Sequence, residues 1–223
     1  MRKLFYILSL LLTIGFSATA QTDLVDDDVL CARQYNNKYP TDQKQFFGNW
    51  ERGTVLLENG KTASGYFLRY NQMLDELAWL REDDYNVGLV IKENVREFTQ
   101  GGIDEGTEPK RFLKVLVPEL AGLQKTMMYL QVLADGQTRL FCQHKAKLTT
   151  HTGLISPKSY YYLDYGGKLH KISLNRWSFY QTFSKTDRAI VKDVIRKNHL
   201  RVHRIADMAR AVELFNAEKS TID

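Results

Sequence analysis

Polar and apolar positions alternate along the middle of the chain with the period of two that half-buried strands require. Thr54-Val55-Leu56-Leu57-Glu58 runs into Asn59-Gly60, and Lys61 to Tyr70 follows. In that second run Tyr66, Leu68 and Tyr70 share one face, and Ala63, Gly65 and Phe67 share the other. Two β-rich runs joined by Asn-Gly predict a hairpin, because both central turn residues need a positive φ. Asn71 ends the second strand. Residues 74–80 fit strand or helix, and their place between turns favours strand. Asp83-Asp84 reads as a turn before a strand over 87–91. Val95 and Phe98 read as a short segment that plugs the core, ahead of a polar loop from Gly101-Gly102 to Pro109. A strand is predicted over 112–117. Runs 126–133 and 138–144 flank Asp135-Gly136, and runs 160–163 and 168–172 flank Tyr165-Gly166-Gly167, which adds two hairpins. The sum is an antiparallel meander of about eight to ten strands. No repeat of fixed period supports a propeller or solenoid.

Near Leu174 the apolar period changes to that of a helix. Trp177, Tyr180 and Phe183 make a short helical face. Ser184-Lys185-Thr186-Asp187 resembles a capping box, in which the serine oxygen satisfies a free backbone N–H. Ile190, Val191, Val194 and Ile195 then form one apolar stripe, Asn198 ends that helix, and Ile205, Met208, Val212 and Phe215 mark a last one. At the other end, Asp26-Asp27-Asp28 with Val29, Leu30 and Cys31 predicts a short helix start, broken by Asn36-Asn37 and Pro40. The predicted class is α+β: an antiparallel β meander or partly closed β-barrel or roll, followed by two or three C-terminal helices. Residues 21–175 form the β-rich part. Residues 176–223 form a helical segment packed on it through Ile190, Val194, Ile195, Met208, Val212 and Phe215.

The first twenty residues stand apart. Arg2 and Lys3 precede an apolar stretch from Leu4 to Phe16, and Ser17-Ala18-Thr19-Ala20 supplies small residues for cleavage. This is the order of a secretory signal, and it predicts export with a mature start at Gln21. The apolar run is short for a membrane span, and no cysteine lies at the cleavage point for lipid anchoring. Over all 223 residues, 43% are hydrophobic and 26% charged, which excludes a disordered chain, a collagen and a multi-span membrane protein. The net charge of +5 hides an asymmetry. Residues 21–109 hold 9 basic and 17 acidic side chains, whereas residues 110–223 hold 20 basic and 9 acidic ones. Either the halves attract each other in the fold, or the second half offers a basic surface to an anionic partner. Export points to an anionic envelope component or protein, and away from nucleic acid.

Five groups of residues are candidates for chemistry. Lys185, Arg188, Lys192 and Arg196 recur every three or four positions opposite the apolar stripe, so they form a basic ribbon on one helix face. Tyr160, Tyr162 and Tyr165 crowd a hairpin turn; Tyr160 and Tyr162 share a strand face and can offer rings to a ligand such as a sugar, or simply pack. Cys31 and Cys142 can be bridged in an oxidising compartment or remain separate buried thiols. His199 and His203 are four apart, but Arg201 and Arg204 beside them disfavour a metal cation. Glu76 with Asp83 or Asp84 is the pair a glycosidase would need, and nothing singles it out. Nucleophile elbows, Ser-x-x-Lys boxes and phosphate-binding glycine loops do not occur. No catalytic, cofactor-binding or metal residue is therefore assigned and no cofactor is expected.

The series Gly53, Val55, Leu57, Asn59-Gly60, then Gly65, Leu68, Tyr70 and Asn71, resembles secreted or periplasmic proteins common in Bacteroidetes. The tail is similar too: Tyr162 with Gly166-Gly167-Lys168-Leu169, then Ile195-Arg196-Lys197-Asn198, and a last helix ending at Phe215-Asn216. The resemblance implies export and overall shape, and it carries over no catalytic residue. The expected role is a non-enzymatic binding or structural module of the cell envelope. The alternatives are an envelope hydrolase, which needs clustered polar residues in a deep pocket, and a carrier of a small apolar ligand, which needs a hollow barrel.

Overall fold

The computed structural model describes residues 24–26, 30–35, 43–83, 85–118, 125–149, 152 and 154–222. The signal segment, Asp27, Asp28 and Asp84 lie outside the described residues. Among the described residues, twelve strands form one antiparallel sheet. They are β1 (Leu24–Asp26), β2 (Cys31–Gln34), β3 (Phe46–Leu57), β4 (Thr62–Asn71), β5 (Glu76–Leu80) and β6 (Val87–Val90), then β7 (Val95–Gln100), β8 (Lys110–Pro118), β9 (Lys125–Ala134), β10 (Arg139–Thr149), β11 (Leu154–Tyr165) and β12 (Lys168–Ile172). Three helices follow: α1 (Arg176–Thr182), α2 (Lys185–Lys197) and α3 (Ile205–Ile222). The spatial order is β1-β2-β6-β5-β4-β3-β7-β8-β9-β10-β11-β12. This is α+β, with a meander and then helices.

The Asn59-Gly60 hairpin forms between β3 and β4, and Gly60 has the positive φ of 82° that the turn needs. β3 carries a bulge, because its register with β4 jumps between Phe47 and Glu51. The Arg69 guanidinium holds the bulge by donating to Gly48 O at 2.9 and 2.6 Å. The bulge turns Phe47 inward, where its ring stacks on His144 at 4.0 Å and meets Phe112 edge-on at 5.8 Å. The sheet curls without closing. Ala146 on β10 donates its N–H to Gln72 O, just past β4, at 2.9 Å. Gly53 permits the close approach of β3 and β7: a Cβ there would stand 2.0 Å from Thr99 O.

The curl encloses an aromatic core. Phe98 and Phe112 stack at 4.6 Å, Tyr70 lies 5.1 Å from Phe112, and Tyr129 meets Phe98 edge-on at 5.1 Å. Leu68, Trp79, Val55 and Leu30 complete it. A second core lies between the sheet and the helices. There Leu140, Leu163 and Ile172 pack against Phe179, Phe183, Val191, Ile195, Met208, Val212 and Phe215. Val194 is also fully buried, and Ile190 is half-buried. The apolar stripe of the tail is therefore spent on the sheet. Val117, Leu130, Phe141 and Tyr162 form a third cluster on the opposite face of the same strands.

Three local expectations change. Leu24–Asp26 and Cys31–Gln34 are strands rather than part of a helix, because β2 pairs with β6 and gains a ladder that a lone turn lacks. Val95–Gln100 is a full strand bonded to both β3 and β8, not a plug. The register with β3 skips Arg96, passing from Glu97 to Val95, and this bulge breaks the alternation. The buried pair is Phe179 on α1 and Phe183 at its C-terminal cap, four apart, and Trp177 is turned outward with 74% of its surface exposed. Asn175 fixes this phase by capping α1: its side-chain oxygen accepts the Ser178 N–H at 2.8 Å.

Candidate functional site: a basic face on the C-terminal helices

Ser184 starts α2 as the capping residue, and its Oγ accepts the Asp187 N–H at 3.1 Å. With that phase set, burying Val191, Val194 and Ile195 turns Lys185, Lys192 and Arg196 to solvent. Arg188 departs from the expected ribbon. It folds back on the end of α1, donating to Phe183 O at 3.1 Å and Gln181 Oε1 at 3.4 Å, so it braces the two helices. There its cation also faces the negative end of the α1 dipole. Lys192 sits with its Nζ 5.5 Å above the Tyr180 ring. Arg196 and Lys197 both pair with Asp193, which lowers the Asp193 carboxyl below its usual range, first through the Lys197 hydrogen bond and then through that of Arg196. Such exposed pairs contribute little to stability. The exposed Trp177 stands one turn before Tyr180 and Gln181 on α1, so it borders the same cationic face.

Part of the charge asymmetry is offset inside the fold. Lys110 pairs with Glu51, Arg111 with Glu97 and Lys114 with Glu58. These contacts join bases of the second half to acids of the first. The exposed lysines of α2 stand outside that exchange.

The tyrosine group is divided. Tyr162 lies on the outer sheet face, buried against Leu130 and Phe141, and its hydroxyl donates to Gln143 Oε1 at 3.1 Å. Tyr160 is beside it, half-buried, under the Lys171 ammonium at 4.3 Å from the ring centre. Tyr165 faces the other way, into a cleft of about 390 Å³ lined by Gln137, Thr138, Gly166, Gly167, Asp187 and Lys219. In this cleft Tyr165 OH donates to Asp187 Oδ2 at 2.6 Å, and Lys219 reaches both carboxylate oxygens at 2.9 Å. Burial pushes the Asp187 carboxyl up, but the Tyr165 and Lys219 hydrogen bonds and the lysine charge outweigh it and hold it below the usual range. The knot joins β11, α2 and α3. Its polar groups satisfy one another, so it works as a clasp.

The other candidates fall apart spatially. Cys142 is a buried free thiol that faces His144, and burial pushes it up to about 11. The bridge to Cys31 is thus not formed; Cys31 lies on β2, eight strands away along the sheet order, and its side chain is outside the described residues. A thiol this hard to ionise is a poor nucleophile. His199 and His203 lie in the α2–α3 connection rather than on one helical turn. Glu76 opens β5 and pairs with Arg33, whereas Asp83 lies past the other end of β5 and pairs with Arg81. Four strand steps of roughly 3.3 Å separate those ends, which exceeds the span of a glycosidase pair.

One half-buried carboxylate escaped the sequence reading. Asp75 holds a left-handed turn, with φ 58°, between β4 and β5. Its Oδ1 accepts from Tyr70 OH at 2.7 Å and from the Tyr129 N–H at 3.1 Å, and its Oδ2 binds Lys92. Burial raises the Asp75 carboxyl, and the Lys92 charge opposes this only in part. The cluster stitches β5 to β9 across the mouth of the aromatic core. Only its turn position between two strands hinted at it.

Comparison with models of known protein families, with curated proteins and with solved structures finds no match to any of them.

Proposed function

We propose that this is an exported, non-enzymatic binding module of the cell envelope that holds an anionic component through its C-terminal helices. The reading rests on one observation: Lys185, Lys192 and Arg196 remain exposed on one face of α2 after its apolar stripe is consumed by the sheet. Two features support it. Lys110, Arg111 and Lys114 are paired with acids of the first half, whereas Lys185 and Lys192 take no part in those pairs and add to the positive field of this face. Glu76 and Asp83, considered as a catalytic pair, stand apart, and Tyr162 and Tyr165 of the aromatic patch are engaged in structural contacts. Phe98, Phe112, Tyr70 and Tyr129 pack ring on ring inside the curl, where an apolar ligand of a carrier would have to sit.

Cell fractionation tests the reading. The exported protein begins at Gln21 and sediments with the envelope. A variant with Lys185→Glu, Lys192→Glu and Arg196→Glu is exported equally well and moves to the soluble fraction. A variant that stays with the envelope sinks the assignment to this face, and a chain that still begins at Met1 sinks the export.

A further inference from the structure

We infer that the anionic component is the surface of an acidic phospholipid bilayer, and that Trp177 is the side chain that enters its headgroup layer. The inference rests on the anionic-partner reading above and narrows it to one partner.

Trp177 is the starting point. Exposing 74% of an indole to water is unfavourable by its apolar area, and among the described residues only Tyr85 exposes a larger fraction of a large hydrophobic side chain. The indole combines an apolar body with one N–H donor, a pairing that favours the boundary between headgroups and acyl chains. Its surroundings match. One turn along α1, Tyr180 carries Lys192 above its ring, and Gln181 accepts from Arg188. These contacts lock α1 and α2 into one continuous surface. That surface presents Trp177 at one border, Arg176 beside it, and Lys185 and Lys192 across it, all exposed. Asp193 partly neutralises the far end at Arg196, so the strongest field lies near the indole.

The mode of contact follows from the packing. Val191, Val194 and Ile195 are buried against the sheet, so α2 cannot turn its apolar stripe to lipid. Docking is peripheral, with several cations over acidic headgroups and one indole wedged between them. Each Lys or Arg held near an acidic membrane changes affinity roughly fivefold. Trp177 stands outside the cleft at Tyr165, where a sugar ring or peptide would find walls. A fluid headgroup layer needs no groove.

The test uses vesicles of phosphatidylglycerol with phosphatidylcholine, and vesicles of phosphatidylcholine alone, with the protein purified after export. Sedimentation reports binding, and phosphatidylcholine with brominated acyl chains quenches an indole that enters the bilayer. The expected result is binding to the acidic vesicles only, with bromolipid quenching. In a Trp50→Phe background, Trp177→Ala lowers the affinity roughly tenfold and abolishes the quenching, because the remaining Trp79 is buried in the aromatic core whereas Trp50 on β3 is only half-buried. Its thermal midpoint stays close to that of the wild type, since the side chain is largely exposed. The paired change Lys185→Glu and Lys192→Glu abolishes vesicle binding. Wild-type affinity in Trp177→Ala, or quenching that persists in it, overturns the inference. Binding to native envelope material without binding to acidic vesicles overturns it as well and leaves the broader reading in place. Binding to neither overturns both.

Discussion

Asn216 on α3 offers the sharpest test of how the helical tail is held. Its side chain makes three hydrogen bonds to the turn between β9 and β10. Oδ1 accepts the Thr138 N–H at 2.9 Å, and Nδ2 donates to Thr138 O at 2.7 Å and to Asp135 O at 3.1 Å. Thr138 is 2% exposed, so its N–H has no water to turn to when the amide is removed. Asn216→Ala therefore deletes the bonds and leaves a buried donor unsatisfied, at a cost of about 2–3 kcal/mol. For a chain of this size that corresponds to a fall in Tm of roughly 5–10 °C. Gly136 supplies a second arm. A Cβ at this position would stand 2.5 Å from Asn216 Nδ2, on a backbone with φ +139°. Gly136→Ala in the wild type suffers both strain and clash, whereas in the Asn216→Ala background only the strain remains. The two substitutions should thus be clearly less than additive in urea denaturation. A loss below about 0.5 kcal/mol for Asn216→Ala, or full additivity of the pair, would refute the clamp.

Two further outcomes follow from the packing. Burial pulls the His144 imidazole down to about 4 from 6.5, so the fold holds it neutral; its contribution is complete above about pH 6.5 and is lost as pH falls toward 4. Over that window the wild type should lose about 3 kcal/mol more than His144→Gln in denaturant titrations, and parallel curves would contradict this. Ile195→Asp places a charge in the layer between α2 and the sheet and should cost several kcal/mol, about 3 or more, read as a collapse of the thermal midpoint; an unchanged midpoint would mean that α2 is not docked.

Much of the fold was legible in the residues. Hairpin turns such as Asn59-Gly60 and Asp135-Gly136 have a local cause, so local sequence announces them. The stripe Val191, Val194 and Ile195 announces its burial in the same way. What stayed hidden depends on partners distant in the chain. β2 takes its ladder from β6, and β7 takes its two ladders from β3 and β8. Arg188 has the spacing of a surface ribbon, yet Phe183 O and Gln181 claim it. Trp177 has the spacing of a core face, yet the Asn175 cap rotates α1 so that Phe179 and Phe183 fill that role. Tyr160 and Tyr162 share a face as their alternation predicts, but Tyr165 beyond them turns to Asp187. Asp75 needed Tyr129 and Lys92, 54 and 17 residues away, before it meant anything.

The central claim is that an electrostatic face on the helical tail holds the protein to its envelope. Retention of the purified protein on washed native envelope, measured across salt, tests it most directly. Exposed charges are screened over about 10 Å at 0.1 M and about 3 Å at 1 M salt. The account predicts strong retention at low salt, release by 1 M, and no retention at any salt for the Lys185→Glu, Lys192→Glu, Arg196→Glu variant. Retention that is indifferent to salt, or equal in the variant, would contradict it.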